Sequence, residues 1–245
     1  MSFGYIVLRH VNSHETNKYW QECLRRIKLY DPDAQVIVID DNSFSEYIED
    51  VDFDYELYSS ESNEKGCAEL LPYIFLLRHE WFEKAVIIQD SVFLNAHLRY
   101  DHVHDFEFFW SFKHEWNNPP LELDLISALE NSEILEEFYR KVDRWNGGFG
   151  AMCCVNLSFL REIDNRFQLN LLKPFVRRRE ERMAFERIIG LLFCLVSGKK
   201  NQARFGDLHA NLRYNSISFK EVEENLHLPL IKCWTGRVNY FDGAL

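Results

Sequence analysis

Three short apolar runs in this 245-residue chain each end in residues able to do chemistry. Gly4–Leu8 leads into Arg9-His10-Val11-Asn12, Gln35–Ile39 into Asp40-Asp41-Asn42-Ser43, and Ala85–Ile88 into Gln89-Asp90-Ser91. Carboxylates gathered at one edge can hold a divalent cation, and such a cation neutralises a phosphate. Each group also has a bland account: Asp41 or Ser43 caps a short helix over Phe44–Ile48, and Asp90 caps a turn. The three ends together favour a site.

Glu186 stands out in the second half. On a helix it shares a face with Met183, Ile189, Gly190 and Phe193, so a carboxylate lies on an apolar stripe. An unpartnered charge there is costly. Two accounts remain open: an ion pair with Arg182 four residues earlier or with another arginine, or a general base whose pKa burial raises toward the working range. Asp143 and Asp207 are alternative bases. Trp145, followed by Gly147, Gly148 and Gly150, suits a sugar site, because glycine admits close backbone approach and an indole stacks on a pyranose. A tight turn beside a core tryptophan explains the same residues. Trp110 and Trp116 have similar standing.

Alternating elements must position these groups. Strand-like runs at Gly4–Leu8, Gln35–Ile39, Tyr55–Tyr58 and Ala85–Ile88 are separated by helical patterns over His14–Tyr30 and Cys67–Trp81. That succession predicts an α/β fold with a mostly parallel sheet flanked by helices, whose ligands bind beyond the strands' carboxyl ends. The second half is less regular: strand over Phe106–Phe112, helix over Leu121–Trp145, a Gly147–Gly150 turn, strand over Ala151–Val155 and a buried helix over Met183–Val196. No linker divides the chain. It reads as one domain over 1–245, with a nucleotide-binding half (1–100) and an acceptor and catalytic half (101–245).

Composition narrows the classes. A net charge of −11 argues against nucleic acid as a partner. Six scattered cysteines, none in a Cys-x-x-Cys pair, suit buried thiols in a reducing compartment. The apolar runs are too short for a signal core or a transmembrane segment, so the expectation is a soluble, cytoplasmic protein. Neither Gly-x-Gly-x-x-Gly nor a P-loop motif occurs, which sets aside a dinucleotide fold and a P-loop NTPase.

The ordered blocks Arg9–Trp20, Val38–Ser43, Gly66–Tyr73 and Ala85–Leu94 resemble GT-A-type nucleotide-sugar glycosyltransferase-like proteins of bacteria and large viruses. The resemblance continues through Trp145–Gly150, Arg182–Arg187 and Phe205–His209. It implies a Rossmann-like GT-A fold and a glycosyltransferase, here a hexosyltransferase. Such an enzyme moves a sugar from a nucleoside-diphosphate sugar, UDP-sugar favoured, to a glycan or other hydroxyl acceptor. Gln89-Asp90-Ser91 holds the place of the family's Asp-x-Asp metal motif and keeps one carboxylate. The resemblance implies Mn²⁺ or Mg²⁺ on Asp90, completed by His209 unless that histidine is structural. Imidazole beside carboxylate suits Mn²⁺. It also implies nucleotide contacts from Arg9, Asn12, Asp40 and Asp41. Lys65 lies before a helix start at Gly66 and either approaches the diphosphate or is an ordinary surface lysine. Glu186 is then the base. The alternative is a non-catalytic nucleotide-sugar or carbohydrate-binding module with a degraded metal motif.

Overall fold

The computed structural model describes residues 2–200, 203–210 and 217–233. The elements run β1 (Phe3–Arg9), α1 (His14–Tyr30), β2 (Gln35–Asp40), β3 (Glu56–Ser59), α2 (Leu71–His79), β4 (Lys84–Gln89) and β5 (Val92–Leu94). They continue through β6 (Phe106–Phe108), β7 (Ser111–Phe112), α3 (Pro119–Ser127), α4 (Ser132–Tyr139), β8 (Gly147–Gly148) and β9 (Cys153–Asn156). Helices α5 (Leu157–Phe167) and α6 (Arg179–Ser197) precede the last strand, β10 (Leu230–Lys232).

Six strands form one sheet in the order β3-β2-β1-β4-β9-β6. The first four are mutually parallel, and β9 runs antiparallel to both β4 and β6. The fold is thus mixed α/β with a mostly parallel central sheet. Strand alternation divides the core in two. Ile6, Leu8, Ile37, Ile39, Ala85 and Ile87 face one cluster with α2 to α6. Tyr5, Val7, Val36, Val38, Val86 and Ile88 face the other, with α1, β5 and residues 217–233. Both faces are covered, which is why these strands read as continuous apolar runs.

Several expected segments divide. Over Leu121–Trp145 there are two helices, because Asn131 turns the chain at φ 53° between α3 and α4. Phe106–Phe112 splits into β6 and β7. Gly147 and Gly148, expected as a turn, pair as β8 with Phe112 and Ser111. Helix α2 is preceded by a 3₁₀ turn over Ala68–Leu70. No helix among the described residues is long and apolar enough to cross a membrane.

Candidate functional site

The strand order places a topological switch between β1 and β4. From β1 the chain winds outward through β2 and β3, then returns to β1's other side as β4. A crevice opens beyond the carboxyl ends at such a point. Here the two ends are tied together: the His10 N–H donates to Asp90 Oδ2 (3.1 Å), and the Asp90 N–H donates to the Leu8 carbonyl (2.9 Å).

On the β1/β2 side every expected acid is engaged by the chain itself. Arg9 Nε donates to Asp40 Oδ2 (2.6 Å), and its guanidinium stacks 4.6 Å from the Trp20 ring. Asp40 also accepts from the Ser43 N–H (3.0 Å) and hydroxyl (2.6 Å), while Ser43 Oγ accepts from the Val11 N–H (2.7 Å). Asp41 accepts from the N–H groups of Gly66 (2.8 Å) and Ala68 (2.9 Å) and from Ser60 Oγ (3.2 Å). Its carbonyl meets His10 Nδ1 at 2.8 Å. Asn12 Oδ1 accepts from Thr16 Oγ1 (3.0 Å), beside the Ser13 cap of α1.

The 61–68 turn is built around Asp41. Gly66 adopts φ 86°, a left-handed conformation that favours glycine. Buried Glu64 binds Arg78 and Lys173, and Arg177 Nη1 donates to the Lys65 carbonyl (2.6 Å). The N–H groups that would receive a diphosphate beside Lys65 are therefore occupied by the Asp41 carboxylate. Lys65 itself is exposed. The expected helix start at Gly66 is a turn with its donors already taken.

The β4 side differs. Gln89 Nε2 donates to Glu69 Oε1 (3.0 Å), and Arg182 Nε lies 3.7 Å from Glu69 Oε2. Arg182 thus pairs with Glu69, on the 3₁₀ turn, and not with Glu186. Glu186 is half-buried on α6, and its carboxyl is pushed up to about 8. Desolvation is the main cause and the Glu69 charge the second; a hydrogen bond from the Gly150 backbone and the charges of Arg187 and Lys232 oppose them. The helix reaches this position because Gly190, one turn on, lets it touch the 146–148 backbone. A Cβ at Gly190 would stand 2.2 Å from the Asn146 carbonyl oxygen and 3.0 Å from Gly147 Cα.

Solved structures offer a likeness of fold. The chain is similar to core-mannan synthase A (CmsA/Ktr4) from Aspergillus fumigatus in its Mn/GDP form, at 10% identity and a TM-score of 0.49, covering 82% of this chain and 72% of that one. S. aureus TarS 1–349 is similar at 14% identity and a TM-score of 0.40, with 78% and 56% covered. Its UDP complex gives 15%, 0.41, 75% and 54%. The chain therefore spans little more than half of the TarS chain. No family model matches the sequence, and no curated protein matches it.

The described side chains do not form a preassembled site for a divalent metal. Mg²⁺ and Mn²⁺ favour oxygen-rich, near-octahedral shells. Among the described residues no group of three His, Cys, Asp or Glu side chains is arranged to hold one. Asp90, 1% exposed, uses one oxygen on the His10 N–H. Asp207 Oδ1 accepts from the N–H groups of His209 (2.9 Å) and Ala210 (3.3 Å). His209 is exposed, with its ring 6.3 Å from Phe112.

The expected sugar platform is also rearranged. Trp145 is fully buried, its Nε1 donating to the Tyr139 carbonyl (3.2 Å) and its ring packed against His114 at 4.3 Å. It has no face to offer a pyranose. Gly147 and Gly148 are small because the Phe112 and Phe108 rings lie against them, each 2.3 Å or less from an added Cβ. Trp110 is buried, whereas Trp116 is 70% exposed on a loop held by Arg187, whose Nη2 donates to the Trp116 carbonyl (2.7 Å). Lys232 was not singled out by motif; its Nζ donates to Ser91 Oγ. Surface hollows of about 360 and 390 Å³ lie elsewhere, lined by none of the strand-end acids.

Proposed function

We propose that the protein is a glycosyltransferase that takes a sugar from a nucleoside-diphosphate sugar and delivers it to a hydroxyl acceptor. The observation that carries this reading is Glu186: a carboxyl raised to about 8, beside the β4 end of the switch-point crevice. A carboxylate of that basicity can take a proton from an attacking hydroxyl near neutral pH. The ordered sequence resemblance supports the same activity class, with UDP-sugar the first donor to try and a hexose the sugar. Asp90, fixed by the His10 N–H, would accept a hydrogen bond from a sugar hydroxyl of the donor and so orient it. Arg9 and Asp40 form a rigid floor at the nucleotide side, in the half of the chain over 1–100.

On the acceptor side, exposed Trp116 replaces Trp145 as the stacking surface, on a loop anchored to the residue next to Glu186. The step is direct displacement at the anomeric carbon. The acceptor oxygen forms the new bond, its proton goes to Glu186, and the nucleoside diphosphate leaves with the old bond's electrons.

Calorimetric titration with UDP-, GDP- and dTDP-sugars, followed by a donor-hydrolysis assay, tests this reading. One donor should bind and be hydrolysed slowly without acceptor. Binding without any turnover would support the non-catalytic module instead, and no binding to any donor would sink both.

A further inference from the structure

The edge that lacks a second carboxylate has a cation. Strand β10 lies antiparallel on β5 with Lys232 opposite Val92, and the Cys233 N–H donates to the Ser91 carbonyl (2.8 Å). Ile217 bridges Cys233 from the other side. This clamp fixes the Lys232 backbone beside the β4–β5 turn and sets its ammonium on Ser91 Oγ, one residue from Asp90. Two further groups register the same placement. The buried Cys23 thiol feels both Asp90 and Lys232, and the Glu186 carboxyl feels Lys232. The ammonium thus sits on the residue next to Asp90 and lies close enough to Glu186 to favour its charged form.

Charge balance then discriminates between two cations. Gln89-Asp90-Ser91 carries a single negative charge, and one ammonium neutralises it. A divalent ion at Asp90 would meet Lys232 as a like charge in a partly desolvated crevice, where repulsion is weakly screened. A nucleoside diphosphate meets the reverse situation: Asp90 repels it, and Lys232 attracts it. A lysine is a point charge with three rotatable donors, well suited to phosphate oxygens that change position as a bond breaks.

We propose that Lys232 binds the donor's diphosphate, in the place where the sequence motif leads one to expect a metal, and that donor binding is metal-independent. On departure the diphosphate gains negative charge, and the lysine ammonium would stabilise it without being consumed. This inference rests on the transferase reading, which supplies the diphosphate.

The test is calorimetric titration of UDP and GDP into the wild-type protein, Lys232→Met and Lys232→Arg, each in EDTA and in Mn²⁺. Thermal melts run alongside to confirm that each variant is folded. Wild type should bind one nucleotide with less than twofold difference between EDTA and Mn²⁺. Lys232→Met should bind about tenfold or more weakly, the loss typical of a hydrogen bond to a charged group. Lys232→Arg, which keeps the charge, should recover most of the affinity. Binding that requires Mn²⁺, or a folded Lys232→Met that binds like wild type, would overturn the lysine assignment and leave the transferase standing. Should Lys232→Met fail to fold, Lys232→Arg and the EDTA titration of wild type still decide. Wild-type protein that binds neither nucleotide in either condition would overturn both.

Discussion

The two sides of the switch point use the same residue types to opposite ends. At β1 and β2, Asp40 and Asp41 each accept two or more hydrogen bonds from nearby groups, so their charges are compensated within the fold. On the β4 side, Glu69 of the 3₁₀ turn and Glu186 of α6 repel one another, and burial holds the Glu186 proton well above its ordinary range. Compensated charges make a scaffold. Opposed ones store a free-energy difference between protonation states that a reaction can draw on.

Removing the opposed pair's central member tests the contrast hardest. Glu186→Gln should lower kcat by roughly 10²–10⁴, the range for a general base. The wild-type rate should rise as pH climbs through about 8, and the variant should lose that limb. The stability sign follows from proton uptake on folding. Glu186 binds its proton more tightly folded (about 8) than at its ordinary 4.5, so its contribution is present below pH 4.5 and lost as pH rises to about 8. Urea melts should therefore show Glu186→Gln gaining on wild type across that window; parallel pH curves would contradict the assignment.

Breaking the scaffold should give a smaller effect of a different kind. Asp41→Ala leaves the Gly66 and Ala68 N–H groups and the Ser60 hydroxyl without their acceptor, and should cost about 2–3 kcal/mol in urea unfolding. If instead stability were unchanged and only nucleotide affinity fell, Asp41 would belong to the binding side. The smallest change should come from Glu69→Gln. Losing the nearby negative charge should lower the Glu186 pKa, shift the rate limb to lower pH, and raise the rate at pH 7 a few-fold. A limb that stays near pH 8 would leave desolvation as the sole cause.

The sequence spoke most clearly where one physical pattern dominates. The helix over His14–Tyr30 and the strands at 35 and 84 were legible because burial on both faces leaves an unbroken apolar run, and amphipathic α1 leaves a 3.6-residue stripe, whereas the mostly exposed strand at 56 carries no such run. Glu186 was legible for the same reason, as a charge interrupting such a stripe. The glycines were legible as sites of close approach, but a one-dimensional pattern cannot say what approaches. At Gly147 and Gly148 it is phenylalanine rings and α6, so the sugar reading of Trp145 goes with them. Asp41 was visible as a strand-end acid, while the N–H groups it binds lie 25 and 27 residues away. Lys232 had no local signal: it sits in a three-residue strand and gains its meaning from Ser91.

That last pairing has a consequence for how the molecule assembles. Ser91 and Lys232 are 141 positions apart, whereas β1, α1 and β2 are neighbours along the chain. Joining distant segments costs loop entropy before any contact rewards it, so such closures tend to come late in folding. The acids at the strand ends can therefore be in position while their cation is still elsewhere. In that interval the β4 end carries the Asp90 charge without the ammonium that β10 brings beside it. On the role proposed for Lys232, competence to bind a diphosphate then arrives as a last event, coupled to the docking of residues 217–233 on β5.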